Sequence, residues 1–376
     1  MKATASAPGK ILWLGGYSVL EKGKLAYVSA AGPRCHVSVE PSDKEPIVII
    51  APQLNATAEY WMREGKLKAA SRTPETAVQS TKFVASAASA AMAYLAYKGH
   101  EPSSAGLRIE TKSDAAFASG GGKSGLGASA AVTVATVAAV LAAHEAKAEE
   151  TAVHNISQYA HSKAQGKVGS GFDVAAAAFG SCVYSRYSPE LAEKATPADF
   201  DKKWDYTIEK LELPKILAPA FANIAGQSAS TTEMVRKVKS WQSGHDGDYR
   251  TLIARLDSAN RKAIGSLKKI ADNQPVFDEF KQHFGESRAI TAELGERSGA
   301  AIEPRELTMA LDASMKNGAL CAKLPGAGGG DAIAALCIGE ANKKKLHEFW
   351  RAYTAVRLEP IEVAGGKGGV RLEAAT

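Results

Sequence analysis

Cysteine is scarce in this chain: Cys35, Cys182, Cys321 and Cys337 stand far apart, with no CxxC pair and no accompanying histidine cluster. That excludes a disulfide framework and a zinc site, and it suits a reducing cytoplasm. Blocks of like charge are also missing. The formal net charge of +6 is spread along 376 residues, which fits a small anionic metabolite better than a nucleic acid. No run qualifies as a membrane span. Leu126 to Ala143 is uncharged but rich in alanine and carries Ser129, Thr133 and Thr136, so it predicts a helix buried inside the protein, with no membrane partner. The N-terminus has one early lysine and a short apolar run broken by Gly15 and Gly16, which is not the pattern of a signal peptide. The aromatic residues form no ladder on which bases would stack, and no adenine contact can be assigned from them.

What is present is an ordinary enzyme composition, 45% hydrophobic and 23% charged, in a chain long enough for two lobes. Strands are expected over Thr4 to Leu14, Ala26 to Glu40, Pro46 to Ile50 and Gly106 to Thr111. Helices are expected from Pro74 to Tyr97, over the buried segment, and from Thr151 to Ala164. Val174 to Tyr187 reads as a small-residue helix running into a strand. Proline and charge gather at 188–207, where the lobe boundary is expected, giving an N-terminal lobe of 1–195 and a C-terminal lobe of 196–376. Beyond a strand at Ile216 to Ala225, long charged amphipathic helices fill Thr231 to Asn317. Strands then follow at Gly318 to Lys323, Ala332 to Ile338 and Ala355 to Val363. The histidines at 144, 154 and 161 lack metal-ligand spacing and read as core or surface residues.

Three glycine loops carry the chemistry. The stretch from Gly120 through Gly121, Gly122, Lys123, Ser124, Gly125, Leu126, Gly127, Ala128 and Ser129 runs straight into the buried helix. Glycines let backbone N–H groups converge without Cβ obstruction, and the helix N-terminus adds unsatisfied donors and partial positive charge. A triphosphate is the natural ligand. A Walker A loop is excluded because Phe117 stands where its first glycine belongs. A dinucleotide fingerprint matches at Gly120, Gly122 and Gly125, but Lys112 to Ser119 separates it from the preceding strand, which that motif does not tolerate. A second loop runs from Pro325 to Asp331, and a third motif, Ala7-Pro8-Gly9-Lys10 leading to Gly15-Gly16-Tyr17, opens the chain.

Taken in order, Pro-Gly-Lys, then Gly-Leu-Gly-x-Ser-Ala-Ala, then Pro-Gly-Ala-Gly-Gly resembles the three signature motifs of the GHMP kinases, across nearly the whole chain. The resemblance implies an α+β two-lobed fold, with a ribosomal S5 domain 2-like N-terminal lobe and a ferredoxin-like C-terminal lobe. It implies ATP bound by residues 122 to 129, Mg2+ on the Ser129 hydroxyl, Lys10 stabilising the transferring phosphoryl group, and Asp173 orienting that lysine or the acceptor. Within the family, Ala164 to Asp173, Tyr184 to Pro189 and Gly226 to Thr231 are similar to the forms found in phosphomevalonate kinases. That implies 5-phosphomevalonate as acceptor, held by Lys167, Ser170, Arg186, Ser228, Ser230, Gly328 and Gly329. One position departs from the mevalonate kinase pattern: His161 stands where such relatives carry a metal-binding glutamate, and Gln165 replaces their histidine. The second metal ligand is therefore left between Asp173 and water with the phosphates. Another GHMP kinase acting on an alcohol such as mevalonate or homoserine, a related decarboxylase, and a nucleotide-binding module without catalysis are the alternatives. A monomer or homodimer is expected.

Overall fold

The computed structural model describes residues 1–42, 46–63, 66–100, 106–117, 124–225 and 231–374. The N-terminal half supplies β1 (Ala3–Leu14), β2 (Leu25–Ser42), β3 (Ile47–Ala51), β4 (Ala56–Arg63), β5 (Lys66–Ala69), α1 (Glu75–Tyr97) and β6 (Gly106–Ser113). Helices α2 (Ala128–Ala143), α3 (Glu150–Gln165) and α4 (Phe172–Phe179) follow, then β7 (Cys182–Ser185), the short α5 (Pro189–Lys194) and β8 (Thr207–Lys210). The remainder supplies β9 (Leu217–Ile224), α6 (Thr231–Gly244), α7 (Asp246–Ala271), α8 (Phe277–Ser298), α9 (Arg305–Lys316), β10 (Ala319–Lys323), β11 (Ala332–Ile338), α10 (Gly339–Ala352), β12 (Leu358–Ile361) and β13 (Arg371–Glu373).

The first sheet runs β13-β1-β2-β6-β3-β4-β5, with β7 and β8 attached to the inner part of β2. Its pairs are antiparallel except β3 with β6. Helix α2 packs on β1 and β2 and is covered by α1, α3 and α4. A helix apolar on every side must be enclosed, and α2 is: Ala130, Val134, Val137 and Leu141 lie within the core, as do Ala131, Ala135 and Ala139 on its other faces. The second sheet is antiparallel in the order β10-β11-β9-β12. Strand β9 is buried along its whole length because the two cores meet across it. Phe221 faces the larger core, and Ala220 and Ala222 face the one made with α9 and α10. Helices α7 and α8 lie side by side and enclose a third cluster with Tyr17 from the N-terminal lobe.

The lobe boundary expected at 195 and 196 does not coincide with the edge of the first sheet. Strand β8 pairs with β7, and β13 returns from the far end of the described chain to pair with β1. Residues 364–370 tie that return path to the N-terminal lobe. The Ala364 carbonyl accepts the Gly32 N–H at 2.8 Å, Gly366 N–H donates to Ala30 O at 2.9 Å, and Val370 N–H donates to Ala178 O at 3.2 Å. Arg34 Nη2 donates to Gly369 O at 2.8 Å. The path presses so close to α4 that a Cβ on Gly369 would overlap the Ala178 carbonyl.

Candidate active site

Lys10 is the centre of the site. It sits within β1, just after the register shift between Pro8 and Gly9, and is 9% exposed. Its backbone N–H donates to Leu126 O and its Nζ donates to Gly125 O, both at 2.8 Å, so backbone and side chain grip the same loop. The ammonium also lies 5.5 Å from the centre of the Phe172 ring. Burial lowers its pKa, and the carboxylates of Asp173 and Asp331 act in the opposite direction. A desolvated cation in the field of two carboxylates is fitted to an anionic ligand.

The loop gripped by Lys10 has the geometry of an anion cradle. Gly125 and Gly127 adopt φ of +72° and +81°, and Gly127 caps α2 from the left-handed region. No side chain caps this helix, and the first intrahelical bond in the loop runs from Ala131 N–H to Gly127 O. The N–H groups of the first turn therefore point toward the loop. A Cβ on Gly127 would stand 3.0 Å from Lys10 Cγ and Cε. Leu126 contributes differently than expected: its side chain is fully buried, and its carbonyl is engaged by Lys10. Ser124 is buried beside it, and Ala128 and Ser129 open the helix. Gly122 and Lys123, also expected here, lie outside the described residues.

Ser129 stands opposite α3, where His161 Nε2 lies 3.1 Å from its hydroxyl. His161 is the core histidine expected, and it also lies against the serine expected to hold the metal. It is buried, stacks on Phe83 with centroids 5.1 Å apart, and its pKa is lowered by burial. Asp173 lies in the first turn of α4, whose cap is Gly171; the cap role that an aspartate often takes there belongs to the glycine. Asp173 Oδ1 accepts the Val174 N–H at 3.0 Å. Ser170 precedes the cap.

The residues expected to hold the acceptor are only partly brought together. Arg186 Nη1 donates to Leu20 O at 2.6 Å, and its Nε is buried with no partner among the described residues. Arg186 and Asp173 both act electrostatically on Tyr184 and Tyr187, so both charges lie within reach of one pair of rings. Lys167 is exposed and donates to Thr232 Oγ1 at 3.0 Å, reaching from the first lobe to the start of α6. Ser228 and Ser230 lie outside the described residues. Gly328 and Gly329 are packing positions first: Gly329 N–H donates to Ile302 O at 2.9 Å, and a Cβ on Gly328 would overlap that same carbonyl. Tyr17 Oη donates to Ala327 O at 3.1 Å, which closes the third loop onto the Gly15-Gly16 turn.

Two groups were missed by sequence reasoning. Asp331 ends the third loop and shares the field of Lys10. Lys323 on β10 reaches across the lobes to donate to Trp13 O at 3.2 Å. Burial pushes its pKa down to about 8 against the opposing pull of Glu303, and Lys10 lowers it further. Proximity to the third glycine motif was the available signal for both.

A two-lobed fold with a phosphate-type glycine loop on a buried helix and a buried lysine beneath it defines a small-molecule kinase of one kind. Residues 82–181 match the GHMP kinases N terminal domain, and residues 267–355 match the GHMP kinases C terminal domain. The chain belongs to the GHMP kinases. It is 30% identical to the phosphomevalonate kinase of Gibberella zeae, over 98% of this chain and 96% of that protein. It is 30% identical to the phosphomevalonate kinase of Saccharolobus solfataricus, over 88% and 89%. In fold it resembles the Streptococcus pneumoniae phosphomevalonate kinase in complex with phosphomevalonate and AMPPNP. The TM-score there is 0.75, at 18% identity over 96% of this chain and 98% of that one. No helix among the described residues is long and apolar enough to cross a membrane.

Proposed function

We propose that this GHMP kinase transfers the γ-phosphoryl group of ATP to the phosphate of 5-phosphomevalonate, giving ADP and 5-diphosphomevalonate. The observation that carries the reading is Lys10, desolvated and bonded to the loop of the ATP phosphates beside Asp173. An oxygen of the acceptor phosphate attacks the γ-phosphorus in line, and the bond to the β,γ-bridging oxygen breaks, its electron pair leaving with ADP. The acceptor phosphate is largely dianionic at neutral pH, so no strong general base is needed. Asp173 then orients Lys10 rather than removing a proton. With an alcohol acceptor it would have to take the hydroxyl proton. The charges meeting in the cleft require cations, and Lys10, Lys323, Arg186 and Lys167 supply them, with Ser170, Ser228 and Ser230 as neutral donors. Support for the phosphate acceptor comes from the relatives, which are named phosphomevalonate kinases, and from the buried Nε of Arg186, unpartnered among the described residues.

Magnesium suits the donors at the head of α2. Ser129 offers a hard oxygen at the anion-binding end of the helix, and Asp173 offers a carboxylate on α4. Among the described residues no three His, Cys, Asp or Glu side chains gather as a protein cage, so a magnesium ion held by Ser129 and Asp173 would depend on phosphates and water for the rest of its shell. Held by Ser129 and Asp173, such an ion would supply neutralisation of phosphate charge. The reading includes a monomer or homodimer in a reducing cytoplasm, consistent with four free and buried cysteines.

Coupled measurement of ADP release with a panel of acceptors tests the assignment. Turnover with 5-phosphomevalonate should exceed that with mevalonate by at least about tenfold, the effect of leaving charged donors unmatched. Faster turnover of mevalonate, or of homoserine, would remove the acceptor assignment and leave the family membership intact. No ADP release with any acceptor would point to a nucleotide-binding module.

A further inference from the structure

The turn that carries Ser170 and Asp173 is held from beneath by a buried polar chain that the steps above do not use. Its centre is Gln158 on α3, 2% exposed. Gln158 Nε2 donates to Gly171 O at 2.8 Å and to His154 Nε2 at 2.9 Å, and its Oε1 accepts the Tyr187 hydroxyl at 3.0 Å. Tyr184 Oη donates to Ser170 O at 3.0 Å. At the far end His154 Nδ1 donates to Asn155 Oδ1 at 3.2 Å, and Asn155 Nδ2 donates to the carbonyls of Phe200 and Lys202 at 3.0 and 2.9 Å.

The chain is self-consistent in its protons. Both Gln158 N–H bonds are engaged, so His154 Nε2 must be an acceptor and the ring neutral, as its burial also requires, with a pKa pushed down to about 3. The backbone is fitted to it closely. Gly171 has φ of +81°, and a Cβ there would stand 2.7 Å from Tyr184 Oη and 2.9 Å from Gln158 Nε2. An apolar core would seat α3 against α4 equally well. It would not hold two successive carbonyl oxygens, those of Ser170 and Gly171, each at a separate fixed donor, which is what a fully satisfied buried network does.

We propose that Gln158, together with Tyr184, is a positioning residue of the transfer reaction: Tyr184 fixes the Ser170–Gly171 peptide, Gln158 fixes the Gly171–Phe172 peptide, and together they set where Ser170 and Asp173 stand relative to Lys10. The inference rests on the reading of Ser170 and Asp173 as groups of the acceptor side. It is tested with Gln158→Met, which keeps side-chain length, and Tyr184→Phe, which deletes one oxygen. Each is assayed for kcat, for acceptor KM, and for binding of a non-hydrolysable ATP analogue. A misplacement near 1 Å costs up to about a hundredfold in rate. For Gln158→Met, kcat/KM for the acceptor should fall at least about tenfold, and for Tyr184→Phe at least about threefold. Affinity and stoichiometry for the ATP analogue should stay within about twofold of the parent, because the α2 loop is untouched. A purely structural role would instead lower kcat and analogue stoichiometry together, as the folded fraction falls, and would overturn the proposal. So would parent-like kcat/KM in Tyr184→Phe, which decides the matter if Gln158→Met does not fold. All ratios are taken with whichever acceptor the parent turns over fastest. A wrong acceptor assignment would therefore appear in the parent's preference and leave the comparison of variants valid.

Discussion

Single residues in this site are constrained by backbone geometry and by burial at once. Gly127 is the clearest case, since its φ of +81° and the 3.0 Å approach to Lys10 leave no room for a side chain. Gly127→Val should fold, because the position faces the cleft, but it should weaken ATP binding by at least about tenfold, from left-handed strain of about 1–2 kcal/mol and a displaced Lys10. Isothermal titration with ATP checks this, and parent-like affinity would mean that this loop does not bind the phosphates. Lys323 makes a prediction in pH. Its folded pKa of about 8 lies below the ordinary lysine value of 10.5. Between those values the unfolded chain holds the proton and the folded one has released it, so folding gains stability as pH rises through this window. Below pH 8 both states are protonated and the cost of burying the cation is felt in full. Lys10 contributes in the same direction. Urea unfolding at pH 7 to 10 should show a smaller rise in stability for Lys323→Met than for the parent. An identical slope in both would place the lysine's proton elsewhere on the scale.

At the level of elements, hydrophobic period made much of the fold legible. The alternation of Cys35, Val37 and Val39 announced β2, the enclosed alanine-valine run announced α2, and the long charged amphipathic stretch from Thr231 announced helices over the span that holds α6 to α9. What escaped was short and polar. Strand β5 has one partly buried and three exposed residues, so no pattern marks it, and β13 follows a glycine-rich path whose place depends on contacts more than 300 residues away in sequence. Helix α10 begins among Lys343, Lys344 and Lys345 and hides its apolar seam in Leu346 and Trp350. The site divides in the same way. Lys10, the α2 loop and Asp173 sit in local motifs, whereas Asp331, Lys323 and His161 acquire their meaning only when two lobes or two helices meet. The return path offers a test at this scale. Gly369→Ala must push residues 366–370 off the Ala178 carbonyl, at a cost of about 1–3 kcal/mol for overpacking. Since α4 carries Asp173, the urea midpoint and kcat should fall together, and an unchanged midpoint would mean that the clasp is slack.

The molecule as a whole is two lobes that do not separate along the chain. The Asn260 amide donates to Ser18 Oγ at 3.1 Å and Asn260 Oδ1 accepts Ser287 Oγ–H at 2.7 Å, so α7 and α8 hold the turn after β1 through a buried network. Tyr17 and Lys323 add links on either side of the cleft. An interface of this kind places the third glycine loop and the α2 loop in one frame before any ligand arrives. The first sheet is completed by strands drawn from both ends of the second lobe's sequence, β8 before it and β13 after it. On the ribosome this has a cost in order: when residues 1–195 have emerged, β1 still lacks its neighbour at Thr4–Ser6, and β7 lacks its own along its whole length. The β7 edge is covered as soon as Thr207–Lys210 follow, whereas the β1 edge must wait for Arg371–Glu373, nearly as much chain again, exposed to other nascent chains that could pair with it. A cell making this enzyme therefore has reason to keep a chaperone on the first half until residues 364–373 arrive.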